Sequence, residues 1–287
     1  RQMCIRDRYS PAAGDHKAAG CLKADQHFSG LAHKNYYTNR KMNMTNHTAN
    51  FVPRLSERLK LVASFVPQDS RIADIGTDHG FVPICLAKEG RIKSALAMDV
   101  RTGPLERAEA HIKEAGISDI PISTRLSDGL KELKPQEADT VIIAGMGGEL
   151  EIKILQEGRH LWSTIRRFIL SPQSDLEKVR RFLSEEGFLI EKEAMLREEG
   201  KYYTVMSVVR GAMVYNRTIE YRYGKYLLEQ KEPVLKEYLK KEEERVLAIL
   251  ASLSAKEEGE LTKGQEKARQ SLLEELSQIR EAEYEVQ

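Results

Sequence analysis

No apolar run in the 287-residue chain approaches the ~20 residues needed to cross a bilayer, and no apolar signal core follows its first residues. The expectation is a protein that works in the cytoplasm without a membrane partner. Cysteine is scarce: Cys4, Cys21 and Cys85 are an odd set, with neither disulfide nor metal spacing. That excludes a disulfide-stapled fold and leaves no metal site to expect. Excess charge of one sign is also missing, since 45 Lys and Arg face 44 Asp and Glu for a net charge of +1. A nucleic-acid partner would therefore have to be held by a local patch, not by a global field.

The first 44 residues lack helical or strand periodicity, and the run MCIRDR matches an in-frame translation of a sequencing-library adapter. Residues 1–44 are expected to be an artefact or a disordered tail, with a start at Met42 or Met44. The folded protein is expected in two parts, 45–211 and 212–287.

In the first part, short apolar runs alternate with helical patterns. An amphipathic helix is predicted over 54–66, then strands over 71–75, 94–100, 121–126, 139–145 and 166–172. Helices are predicted between them over 81–90, 104–115, 149–158 and 175–186, and a hairpin over 188–211 around Glu199-Gly200. The fold class is thus α/β: a Rossmann-like, doubly wound, mainly parallel sheet with an antiparallel terminal hairpin. Beyond residue 212, Leu235, Leu239, Val246, Ile249 and Leu253, and later Leu272, Leu276 and Ile279, predict two long helices folded back as an antiparallel coiled-coil hairpin. A hairpin that satisfies itself in this way gives no reason to dimerise, so a monomer is expected.

Ligands of such sheets bind outside the C-terminal strand ends. The first turn, IADIGTDHG, places Asp78 where a dinucleotide fold needs glycine. A carboxylate there would repel a pyrophosphate at close range. It suits S-adenosylmethionine, which has no phosphate and carries a sulfonium and an ammonium. Asp74, Gly76, Thr77, Asp78 and His79 are the predicted loop contacts of the cofactor, with Ala144 at the end of the fourth strand. Asp99, with Val100, is placed for the ribose hydroxyls, and Asp128, with Gly129, for the adenine amino group. His79 is expected to fix the loop or touch a ligand, not to transfer a proton, and His111 and His160 to be surface residues.

Together, ADIGTDHG, AMDV, LSDGL, IIAGMGG and ILSPQSD resemble the bacterial tRNA adenine-22 N1-methyltransferases, class I S-adenosylmethionine-dependent enzymes. The resemblance covers roughly residues 52–287. It implies a Rossmann-like catalytic domain followed by a coiled-coil domain, tRNA as partner, and adenine 22 as target.

The loop after the fourth strand, Ala144 to Gly148, lacks the Asn- or Asp-Pro-Pro-aromatic sequence usual in enzymes that methylate exocyclic amines. It offers no side-chain acceptor for amino protons. Ring N1 of adenine already has a free lone pair, so positioning and charge stabilisation are enough. Gly145, Met146, Gly147 and Gly148 are expected to face the base, with Asp78 serving the developing cation. A tight turn into the next helix is the competing explanation for these glycines. Because N1 lies on the pairing edge, the adenine must be extruded, which implies a structured RNA and a grip on it. Arg217, Arg222 and Lys225 are the main candidates, with Arg54 and Arg58 near the cofactor loop. The alternatives are a methyltransferase acting on another RNA, a protein or a small molecule, an NAD-dependent oxidoreductase, which Asp78 opposes, and a non-catalytic RNA-binding protein.

Overall fold

The computed structural model describes residues 51–254 and 262–287, so the expected tail 1–44 and its start sites lie outside the described residues. Helix α1 (Glu57–Ser64) opens the fold, capped by Ser56, whose hydroxyl accepts from the Leu59 amide at 3.3 Å. Strand β1 (Ser70–Ile75), helix α2 (Phe81–Lys88), strand β2 (Ile92–Asp99), helix α3 (Thr102–Ala115) and strand β3 (Ile122–Leu126) follow. Then come β4 (Thr140–Ala144), α4 (Gly148–Glu157), β5 (Arg167–Ser171) and α5 (Leu176–Glu185). The hairpin β6 (Phe188–Glu198) and β7 (Lys201–Arg210) turns at Glu199-Gly200, both at positive φ.

The seven strands lie in the order β3-β2-β1-β4-β5-β7-β6, parallel from β3 to β5 and antiparallel at β7 and β6. The central strands are apolar on both faces because helices cover both: Val141, Ile142, Ile143, Phe168, Ile169 and Leu170 are all buried. One core lies under β4, β5, α4 and α5, and a second under α1, α2 and β1. The chain order reverses between β1 and β4, so their C-terminal ends form the switch point at which ligands of such sheets bind.

Beyond the sheet, a π-helical turn (Glu220–Gly224) leads into α6 (Lys225–Glu229), α7 (Pro233–Ser254) and α8 (Lys263–Glu285). Arg245 with Glu275 (2.9 Å) and Arg280 with Glu243 (2.8 Å) pair in opposite directions along α7 and α8, so the two helices are antiparallel. Their seam holds Leu235, Leu239, Val246, Leu272, Leu276 and Ile279, as expected, together with Leu250. Ile249 departs from the expectation: it is 37% exposed. With 3.6 residues per turn, the position four beyond Val246, not three, faces the partner helix here.

Candidate active site

The cofactor loop follows β1 and is sewn to β2. The amides of Gly76 and Thr77 both donate to the Met98 carbonyl, at 2.8 and 3.0 Å. Gly76 has φ +78, and a Cβ there would overlap the Met146 methyl group. The loop after β4 therefore lies against the loop after β1. Asp74 is buried at the end of β1, and burial pushes its carboxyl up to about 6; the nearby Thr77 hydroxyl opposes this shift and the Asp99 carboxylate adds to it. Thr77 Oγ1 is itself buried beside this carboxyl, outside hydrogen-bond geometry with any side chain or carbonyl. Asp99, also buried, ends β2 and accepts from the Arg101 amide at 2.8 Å.

The remaining predicted cofactor residues are more open. Val100 is exposed. Asp128 is exposed and ion-paired with Lys131, whose hydrogen bond holds its carboxyl below the usual range. Gly129 has φ +60, and a Cβ there would press on Ile154 at 3.0 Å. The Asp78 carboxylate is exposed and shared between Arg107 of α3 and His79 Nε2 at 3.3 Å. Part of the charge expected to face a cationic ligand is thus neutralised by an arginine one helix away. Burial lowers the His79 pKa against the pull of Asp78, which favours the neutral ring, and its Nδ1 is buried without a partner.

His111, expected to be a surface residue, corrects that reading. Its Nδ1 meets the His79 carbonyl at 3.1 Å, and its ring stacks on Phe51 and packs against Phe81 and His79. The helical pattern of 104–115 did not reveal that this face of α3 braces the cofactor loop.

The glycines of the second loop divide by role. Gly145, just after Ala144 at the end of β4, has φ +89, which disfavours any side chain. Gly147 caps α4. A Cβ on Gly148 would collide with the Ser174 carbonyl and lie 2.9 Å from Val179, so helix packing alone requires that glycine. The Met146 carbonyl accepts from the Gln173 amide at 2.8 Å, tying the loop to the segment after β5. Ser171 and Gln173, not singled out as site residues from the sequence, stand beside this loop, and Tyr203 lies under Arg58, which reaches it. The ILSPQSD motif was the available signal for the first two.

The RNA-facing candidates already have partners within the chain. Arg217 is paired with Glu285 (2.7 Å) and Glu220, and Arg222 with Glu275 (2.7 Å) and Gln278. Lys225 donates to the Val214 carbonyl at 2.7 Å. These cations tie the segment after β7 to α8, or to itself, because the carboxylates of Glu220, Glu275 and Glu285 and the Val214 carbonyl compete for them. Tyr215 and Tyr221 likewise stack on each other, at 4.1 Å between ring centroids. Arg54 is exposed and has no carboxylate partner among the described residues. Among the described residues, no three or more His, Cys, Asp or Glu gather as metal ligands, and no helix is long and apolar enough to cross a membrane.

The residues fit S-adenosylmethionine. Buried carboxylates end β1 and β2, an orphaned hydroxyl stands between the loops, and a glycine keeps the approach open, without the glycine-rich phosphate cradle of dinucleotide folds. Fold and site together define a Rossmann-like methyltransferase that uses this cofactor. The chain belongs to the family described as "Methyltransferase domain", whose model matches residues 55–206, and groups with the tRNA (adenine-22-N1)-methyltransferases. The enzyme of that name from Bacillus subtilis is 35% identical over 158 residues, 55% of this chain and 66% of that protein's length. A solved Streptococcus pneumoniae protein in complex with S-adenosyl-L-methionine is 33% identical, with a TM-score of 0.71 over 80% of this chain and 100% of that one. The solved B. subtilis M1A22 tRNA methyltransferase has a TM-score of 0.70 at 28% identity, over 80% of this chain and 99% of that one.

Proposed function

We propose that the chain transfers a methyl group from S-adenosylmethionine to N1 of an adenine in tRNA, adenine 22 by likeness to the B. subtilis enzyme. One observation carries the choice of N1: the loop from Ala144 to Gly148 holds no side chain that could accept a proton from an exocyclic amine. When bound, the cofactor supplies an electrophilic methyl on a sulfonium. Asp74 would hold its cationic end and Asp99 its ribose, with Thr77, Val100, Asp128 and Gly129 around them. Asp78 and His79 would close the loop, with Arg107 tempering the charge of Asp78. Gly145 and Met146 would present backbone and thioether to the base, so that N1 is held in line without a general base. The pairing edge becomes accessible only when the adenine leaves its stack.

Residues 45–211 would form the catalytic domain and 212–287 a helical domain that gives the RNA a further surface. A cytoplasmic monomer fits a tRNA substrate and a helical hairpin that buries its own seam. The decisive experiment incubates the protein with labelled cofactor and unmodified tRNA, followed by nucleoside analysis. Label should appear in N1-methyladenosine. Label in N6-methyladenosine, or none in RNA, would overturn the proposal.

A further inference from the structure

At the rim formed by the strand ends, Asp74 and Asp99 end β1 and β2, and Asp128 follows β3. Beyond β4, the charged group nearest Gly145 is a cation. Arg58 reaches from α1 to the loop after β4: a Cβ on Gly145 would lie 3.6 Å from its Nη1 and 3.8 Å from its Nη2. Gln173 Nε2 stands 3.7 Å from the same point. On the neighbouring strand, Ser171 Oγ is buried without a partner, and the Ser171 carbonyl accepts from the Gly145 amide at 3.2 Å.

Arg58 Nη1 is buried and has no hydrogen-bond partner. No carboxylate among the described residues pairs with this guanidinium; its neighbour is the Tyr203 ring on β7, 5.5 Å from centroid to Cζ. A guanidinium keeps its charge at every relevant pH and has donors only. Burying one of its nitrogens unpaired is costly unless an acceptor arrives. Arginines used only for packing usually end on a carbonyl or a carboxylate, as Arg180 and Arg222 do in this protein. Arg58 is instead laid against an aromatic face with one nitrogen left over beside the catalytic loop.

The vacant acceptor role calls for an anion, and two anions can reach this rim: an RNA phosphodiester and the carboxylate of the cofactor. The place of Arg58 beside Gly145, in the loop expected to face the base, favours the first. The cationic cofactor belongs with the acids after β1, β2 and β3, and the acceptor with the half beyond β4 that carries Arg58, Ser171 and Gln173. Resting on the tRNA reading above, we propose that Arg58, set over the Tyr203 ring and seconded by Gln173 Nε2, receives the phosphodiester flanking the extruded nucleotide. Its planar fork can take two phosphate oxygens at once. It acts as a positioning residue, fixing the nucleotide so that its base meets the backbone at Gly145.

The test measures binding of an unmodified tRNA transcript across a salt series, with S-adenosylhomocysteine present, for wild type, Arg58→Gln and Arg58→Lys. S-adenosylmethionine affinity is measured separately without RNA, and folding by thermal melting. Arg58→Gln should weaken tRNA binding roughly tenfold and lower the slope of log Kd against log salt by about one, the signature of one lost phosphate contact. Arg58→Lys should keep the slope but bind more weakly, because it retains the charge without the fork. Cofactor affinity should stay within about twofold in both.

An unchanged slope in Arg58→Gln would overturn the proposal. So would a loss of cofactor affinity equal to the loss for RNA, which would assign the anion to the cofactor carboxylate. If Arg58→Gln does not melt like wild type, Arg58→Lys decides, and wild-type RNA affinity there would refute the forked contact. Wild-type protein that binds tRNA through Arg58 without methylating it would refute the function proposed above and leave this contact standing.

Discussion

The methyl end of Met146 fills the space beside Gly76, so that a Cβ on the glycine would collide with it. The loops after β1 and β4 are therefore in contact, and a side chain at Gly76 would have to push the methionine aside. Gly76→Ala would add a positive-φ strain of about 1–2 kcal/mol to this collision. The expected result is at least a roughly tenfold loss of cofactor affinity by calorimetry, with Met146→Ala partly restoring it in the double variant. Wild-type affinity in Gly76→Ala would refute the shared packing.

Asp78 and Arg107 should separate charge from stability. Both side chains are about half exposed, so the pair contributes at most about 1 kcal/mol to folding. Asp78→Ala should melt within a few degrees of wild type yet bind S-adenosylmethionine roughly tenfold more weakly. Arg107→Ala, which frees the carboxylate, should bind it as well as wild type or better. Equal losses in both variants would mean that the pair, not the carboxylate, shapes the site.

Asp74 gives a pH dependence of defined sign. Burial pushes its carboxyl up from an ordinary 3.8 to about 6 in the fold, so the folded protein holds this proton more tightly than the unfolded chain. The corresponding stability is fully present below about pH 4 and is lost as the pH rises through about 6. A cationic ligand prefers the ionised form, so cofactor affinity should rise between pH 5 and 7. Calorimetry on wild type and Asp74→Asn checks this, the variant being weaker and flat over that range. A similar rise in the variant would place the titrating group elsewhere.

Arg180 and Glu193 form a fully buried pair at 2.7 Å, and Arg180 Nη1 also donates to the Tyr221 and Arg222 carbonyls. Removing one partner strands a buried charge, so Arg180→Met should cost about 3–5 kcal/mol in denaturant unfolding. Gly224 sits against this pair: a Cβ there would lie 2.5 Å from Glu193 Oε2, at φ +95. Gly224→Ala should destabilise the protein as well, while Arg222→Ala on the outer side should cost less. A mild effect of Arg180→Met would show that the pair is better hydrated than its burial implies.

Much of the fold was legible in the sequence because local signals agreed with the global arrangement. All seven strands sit where apolar runs placed them, and the acids after β1, β2 and β3 follow from the same runs. What stayed hidden depends on distant partners. Nothing near Asp78 in sequence announces Arg107, which stands 29 residues away. Arg217 and Arg222 look like a basic patch along the chain, but α8 returns glutamates to them more than 50 residues later. Arg58 was visible as a basic residue, but its orphaned nitrogen and its place beside Gly145 depend on how α1 crosses the sheet.

The seam between α7 and α8 ends at Leu250 and Leu272, and residues 266–271 of α8 beyond it are all exposed. That stretch has no core to satisfy; its start is secured by Thr262 and Gln265 capping each other. Whole turns could be added to or removed from this end without disturbing a buried residue. The distal arm can therefore vary in length as a spacer does while the sheet and its chemistry stay fixed.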